Sequence, residues 1–65
     1  MHKKDVIQHF GGTTEVARWL NISQSAVSQW PDIIPEKQAF KIERLTQGHL
    51  KHEPLMYQKG GLHAL

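Results

Sequence analysis

The chain contains no cysteine among its 65 residues, so neither a disulfide nor a thiolate metal site can stabilise it. No apolar run approaches the roughly 20 residues of a membrane-spanning helix, and the N-terminus lacks the apolar core of a signal peptide. A domain this short buries only about 60% of its unfolded surface, and its core is therefore small. We expect one cytoplasmic domain without a membrane partner, held together by helix packing or by a partner subunit.

The number of charged residues of either sign is limited, and the histidine, acidic and hydroxyl side chains form no recognisable metal site or catalytic group. Eight basic and six acidic side chains give a formal net charge of +2, which is compatible with a polyanionic partner but does not require one. Five histidines are present, but only His49 and His52 are close in sequence, and no third metal ligand stands near them. Nothing arranges a nucleophile, a base and an orienting group. We expect no metal, cofactor, small-molecule substrate or enzymatic activity.

Apolar residues recur at helical spacing in four segments of the chain. Gly11-Gly12 ends the first segment, and Gly48 ends the fourth, because glycine supplies the left-handed backbone of a helix stop. Pro31 ends the third, since the residue before a proline avoids the α region. Pro35 suits the first position of the fourth helix. The expected helices cover residues 3–10, 13–20, 24–30 and 35–47.

The second and third helices are separated by a three-residue break, which is typical of a helix-turn-helix. Asn21 stands where the turn needs a positive φ, and asparagine tolerates that conformation better than most residues. A hydroxyl at Thr13 or Thr14 can cap the second helix, and Ser23 can cap the third.

The helix expected over 24–30 has one apolar side and one small, polar side. Val27 and Trp30 point inward at 100° per residue, and four uncharged side chains point outward. Glutamine matches the N7 and N6 edge of adenine in the major groove, and serine pairs with several bases. A solvated polar face is the simpler interpretation, but the turn, the caps and the apolar spacing all agree with a base-reading helix. The predicted base-reading residues are Gln24, Ser25, Ser28 and Gln29.

No lysine or arginine lies on that helix, so the charge that neutralises phosphates must come from beside it. Backbone N–H groups at the start of the second helix form a phosphate cradle after Gly11-Gly12. Lys3 is a further candidate, while Lys41, Arg44 and Lys51 fit simple surface charge. The predicted phosphate-binding residues are Thr13, Thr14, Arg18, Lys37 and Lys4.

Four apolar residues fall in loops or weak elements: Ile33, Ile34, Leu50 and Tyr57. They can close the core over the third and fourth helices. We also expect some of them to form a dimer interface, because one short recognition helix reads few bases and two-fold pairing doubles the site.

Three stretches, DVIQHFG, NISQSAVSQW and IPEKQAFKIERLTQG, together resemble the Cro repressors of lambdoid phages and prophages. The resemblance covers residues 1 to about 57. It implies a transcriptional repressor that binds near-palindromic double-stranded DNA operators as a homodimer, with the four outward residues facing base edges. The sequence departs from the family pattern at three points. Asn21 stands where a turn glycine is usual, and Pro31 directly follows Trp30. Trp19 lies on an edge of the second helix, where smaller or charged residues are common.

The resemblance leaves two folds open, because the C-terminal half is helical in one branch of that family and forms β-strands in another. The stretch KQAFKIERLTQG has a period of 3.6 and strong helix formers, and LKHEPLMYQ contains a proline and no alternating β-branched run. We therefore expect an all-α bundle of four to five short helices, similar to lambda repressor.

The sequence allows more than one interpretation of the C-terminal end of the bundle and of its function. Residues 49–57 fit either a short helix after Pro54 or an extended arm, and residues 58–65 fit a flexible tail. A helix-turn-helix fold can also serve as a protein-interaction module in which DNA contact is secondary.

Overall fold

Four α-helices and one short 3-10 helix make up the computed structural model, which describes residues 1–57. The helices are α1 (Lys3–Phe10), α2 (Thr13–Leu20), α3 (Gln24–Ser28) and α4 (Glu36–Leu45), and the 3-10 helix is Pro54–Tyr57. Within residues 1–57 the only pairing of extended backbone is an isolated antiparallel bridge between His2 and Ile33. The all-α prediction is therefore confirmed. The tail predicted at 58–65 lies outside the described residues.

The core is built from aliphatic side chains that every α-helix contributes. Each of these side chains is at most 6% exposed, and each full burial of a Val, Leu or Ile stabilises the fold by about 1.5–3 kcal/mol. Half-buried residues pack around this centre, among them Phe10 from α1 and Trp30 after α3. The buried apolar residues are Met1, Val6, Val16, Ala17, Leu20, Val27, Ile34, Ala39 and Ile42.

The turn between α2 and α3 has the predicted geometry. Asn21 adopts the left-handed conformation with φ of 59° and ψ of 44°. The Ile22 N–H then donates to the Ala17 carbonyl over 3.0 Å. Ser23 caps α3, because its Oγ accepts the Ala26 N–H at 3.0 Å.

The start of α2 differs from the prediction of a threonine cap. Gly12 occupies the N-cap position with φ of 136°, and no side chain bonds there to the free N–H groups. The Thr13 hydroxyl faces another partner instead, the amide of Gln24 at 3.0 Å. Gly12 has a backbone conformation that glycine adopts more readily than other residues. The backbone at Gly12, rather than a threonine hydroxyl, therefore fixes where α2 begins.

Helix α3 is shorter than the predicted span 24–30. It ends at Ser28, and Gln29 lies in the bridge region with φ of −88° and ψ of 0°. The Trp30 N–H bonds back only three residues, to the Val27 carbonyl at 3.1 Å. Pro31 explains the early end, because its ring disfavours the α conformation at Trp30.

Helix α4 is also shorter than predicted, at both ends. Pro35 is its N-cap rather than its first helical residue, with ψ of 138°. At the other end the Gly48 N–H bonds to the Glu43 carbonyl and the Gln47 N–H to the Arg44 carbonyl, which is a Schellman motif. The left-handed backbone begins at Gln47, with φ of 54°, one residue before the predicted glycine stop.

Residues 49–57 run without regular structure until the 3-10 helix, and aromatic stacking holds them against α4. The His52 ring lies between Phe40 and Tyr57, with centroid separations of 4.1 Å and 5.0 Å and nearly parallel planes. His52 Nε2 is also 2.9 Å from Glu36 Oε2. The segment is thus neither of the two expected forms alone, because an extended stretch leads into one turn of 3-10 helix.

Candidate nucleic-acid interface

Helices α2 and α3 pack through small and aliphatic residues, and this packing exposes the other side of α3. Val27 is fully buried at 0% exposure, and Ala17 and Leu20 lie beneath it in the same core. The left-handed turn at Asn21 lets the chain reverse in three residues. The pair therefore forms a helix-turn-helix whose second helix presents one complete face to solvent.

That exposed face carries the four residues that the sequence predicted. Gln24, Ser25, Ser28 and Gln29 are all exposed, although Gln29 follows the last helical residue. None of them packs into the protein's own interior. The surface is uncharged and rich in hydrogen-bonding groups, which is the chemistry of base-edge recognition.

Two hydrogen bonds orient the glutamines on this surface. Gln24 Nε2 donates to Thr13 Oγ1 at 3.0 Å, and Gln29 Nε2 donates to Ser25 Oγ at 3.2 Å. Each amide retains its oxygen and a second N–H for an external partner. The first bond also joins the start of α2 to the start of α3, which sequence spacing did not indicate.

The predicted phosphate-binding residues are accessible. Thr14, Arg18, Lys37 and Lys4 are exposed, and Thr13 is half-buried. Arg18 Nη1 lies 3.9 Å from Glu15 Oε2, and the Arg18 side chain is 74% exposed. Such a loose surface pair contributes little and leaves the guanidinium free to reorient.

Lys3, a further phosphate candidate, has a structural contact instead. Its Nζ donates to the Ser28 carbonyl at 2.9 Å and to the Trp30 carbonyl at 3.4 Å. These carbonyls lie at the end of α3, where a cation is favourable because the helix dipole is negative there. The contact depends on tertiary packing. The Lys3 N–H donates to the Asp32 carbonyl at 2.7 Å, so the N-terminal segment lies beside the loop that follows α3.

The four residues expected at a dimer interface have different environments. Ile34 is only 1% exposed and belongs to the core of its own chain, where its N–H donates to the Met1 carbonyl at 3.1 Å. Ile33, Leu50 and Tyr57 are half-buried. The expectation that Ile34 lies at a dimer interface is therefore corrected. The predicted interface keeps only the other three residues.

Two exposed apolar residues on the 3-10 helix were not predicted from the sequence: Leu55, at 80% exposure, and Met56, at 39%. A shallow groove of about 430 Å³ is lined by Ile33, Ile34, Pro35, Glu36, Met56 and Tyr57. Burial, and secondarily the nearby Glu36 carboxylate, raises the pKa of the Tyr57 phenol above its ordinary value. The one sequence signal for this surface is the short run Pro54-Leu55-Met56, which has neither a helical nor a strand period.

Over residues 1–57 no three acidic or histidine side chains are grouped closely enough to hold a metal ion. The helices in that range are also too short and too polar to cross a membrane.

Comparison with known proteins places this geometry in a family. A family model described as "DNA-binding transcriptional regulator Cro" matches residues 2–61. The regulatory protein cro of Salmonella phage P22 is 51% identical over 59 residues, covering 91% of this chain and 97% of that protein. The repressor protein of division inhibition gene dicB from Escherichia coli (strain K12) is 28% identical over 60 residues, covering 91% and 79%.

A solved structure agrees with the same placement. The solution structure of P22 Cro superposes with a TM-score of 0.81 at 53% identity, covering 88% of this chain and 93% of the other. Sequence, fold and exposed face thus agree with the resemblance drawn from the motifs, and with its helical branch. The chain belongs to the P22 Cro family of DNA-binding transcriptional regulators.

Proposed function

We propose that the protein is a repressor that binds near-palindromic operator sites as a homodimer, with α3 in the major groove. The observation that carries the proposal is the exposed, uncharged, hydrogen-bonding face of α3 above a fully buried Val27. A helix with such a face, braced by a second helix, fits the groove and can discriminate base pairs. The site of action is the DNA in the cytoplasm of the bacterial host.

Gln24 and Gln29 are the main base-reading residues in this proposal. Their amides are held by Thr13 and Ser25, which lowers the entropy lost when they bind. A glutamine amide can donate and accept at the same adenine edge, whereas the Ser25 and Ser28 hydroxyls tolerate several bases. Specificity therefore comes from the two amides, and the serines adjust it.

Phosphate contacts come from the rim of the helix-turn-helix. The first N–H groups of α2 are free of side-chain caps, and they favour an anionic oxygen. The Thr13 hydroxyl still has its own proton to donate while it accepts from Gln24. Thr14, Lys4, Arg18 and Lys37 supply the remaining donors, and the last three supply the charge that drives counterion release.

The second copy docks through Ile33, Leu50 and Tyr57, joined by Leu55 and Met56. An 80% exposed leucine close to a groove lined mainly by apolar residues favours burial by a partner, and a two-fold axis lets the same patch cover itself. The patch is small, so we expect weak association in free solution that is completed on the operator.

Selection of bound sequences from random duplexes tests the proposal directly. The expected product is a two-fold related pair of half-sites about one helical turn apart. Sedimentation equilibrium of the complex then counts the copies on each duplex. Recovery of no enriched sequence, or of a single half-site bound by one copy, contradicts the proposal.

A further inference from the structure

A second surface, on α4, carries an aromatic ring and two cations, Lys41 and Arg44, that the proposed operator contacts do not use, and Lys37 of the proposed phosphate contacts lies at its edge. Lys37, Phe40, Lys41 and Arg44 follow one another at helical spacing, on the side opposite the buried Ala39 and Ile42. Together with Glu43 they line an open groove of about 480 Å³. We call this surface the α4 groove.

The floor of the α4 groove is an ordered aromatic ring. Phe40 is 51% exposed. His52 stacks on the ring at a centroid separation of 4.1 Å and 20° between planes, so the ring has a fixed position. An exposed ring that is already oriented loses little entropy when a partner covers it.

The walls of the α4 groove are positive. Lys37, Lys41 and Arg44 are exposed, and none of them lies within ion-pair distance of an acidic group in the part of the chain that the structure describes. Glu43 is the one acidic lining residue. A surface with three cations and one anion repels its own copy across a two-fold axis, which argues against self-association there.

We propose that the α4 groove binds an acidic segment of a partner protein, with one apolar side chain on Phe40 and carboxylates on Lys41 and Arg44. Duplex DNA fits this surface less well, because the small deoxyribose C–H groups beside its phosphates cover an aromatic ring less completely than an aliphatic side chain does. Burial of one apolar side chain on the ring and exposed ion pairs at the rim give modest affinity and a clear charge preference. The interaction is separate from base reading, which belongs to α3.

The test uses the full chain, labelled for NMR, and an acetylated peptide with one leucine and a glutamate one helical turn to each side. We expect amide shifts confined to α4 and the Phe40–His52 stack. The same peptide with glutamines is the charge control. Shifts of equal size from both peptides, or no shift at α4 up to millimolar concentration, overturn the proposal.

Variants separate this surface from DNA binding. The double variant Lys41→Gln/Arg44→Gln, which changes only exposed side chains, weakens peptide binding about three- to tenfold. Lys51→Gln, an exposed lysine outside the groove, leaves peptide binding unchanged. Operator affinity stays constant in both. If the double variant instead loses operator affinity and its salt dependence flattens, the two cations bind DNA phosphates and the proposal is wrong.

Discussion

The helix-turn-helix and the segment from Pro31 to Tyr57 are stabilised in different ways. In the first, contacts between neighbours in sequence dominate, such as the Ser23 cap on Ala26 and the left-handed turn at Asn21. In the second, nearly two thirds of the residues lie outside α4, and long-range contacts hold them, above all the stack of His52 between two rings. The comparison shows that the helix-turn-helix is locally encoded, whereas the proposed association surface depends on tertiary packing.

Truncating a core leucine should have the largest effect. Leu20 is 1% exposed beneath the turn, so Leu20→Ala should destabilise the fold by about 2–5 kcal/mol and leave the small domain largely unfolded. Urea unfolding followed by circular dichroism measures this. Leu55→Ala is the control from the other region, and at 80% exposure it should change stability by less than about 0.5 kcal/mol. Equal losses would contradict the contrast between the regions.

Removing a glutamine amide from α3 should affect operator binding next most strongly. Gln24→Ala or Gln29→Ala should weaken specific binding by about 1–3 kcal/mol and spare non-specific binding. Gln8→Ala, an exposed glutamine on α1, should change neither. Competition titrations with operator and random duplex measure both. Parallel loss of specific and non-specific affinity would mean that α3 does not read the bases.

Removing the stacked imidazole should loosen only the second region. His52→Ala loses two ring contacts and the Glu36 hydrogen bond, which we expect to cost about 1–2 kcal/mol. Hydrogen exchange should accelerate over 49–57 while α2 and α3 keep their protection. Gln8→Ala, at an exposed position of α1, is the control. Uniform acceleration along the chain would show that the two regions are one cooperative unit.

Neutralising Lys37 should have a smaller and less selective effect than changing α3. Lys37→Gln should weaken operator and random duplex equally and lower the salt slope by about 1, because one phosphate contact is lost. Affinities measured across a salt series check this. A loss confined to the operator would give Lys37 a part in base reading.

Alkaline pH should give the smallest effect. The pKa of Tyr57 is raised in the folded chain, so its stabilising contribution is complete below the unfolded value of 10.0 and is lost as pH rises through the folded value. Urea unfolding at a series of pH values above 10 should therefore show falling stability. Tyr57→Phe should remove this part of the decline, and an unchanged decline in that variant would exclude Tyr57 as its source.

Much of the helix-turn-helix could be predicted because its determinants act within one helical turn. Apolar spacing set the inward position of Val27 and the outward positions of Gln24 and Ser28, and Ser23 and Asn21 marked the break between the helices. The ends of α3 and α4 were less predictable. Pro31 shortened one helix and the Schellman motif at Gln47 shortened the other, and propensity alone cannot rank such competing ends.

The sequence by itself determined the all-α class, the turn and the polar face of α3, since periodicity, caps and turn residues are local properties. Only the tertiary structure decided that Lys3 binds the carbonyls ending α3, that Thr13 holds Gln24, and that Ile34 is core while Leu55 is exposed. The Lys3 and Thr13 contacts join residues 25 and 11 positions apart, and the burial of Ile34 depends on pairing with the N-terminal segment. Such contacts form only after the helices have packed, and no local pattern in the chain specifies them.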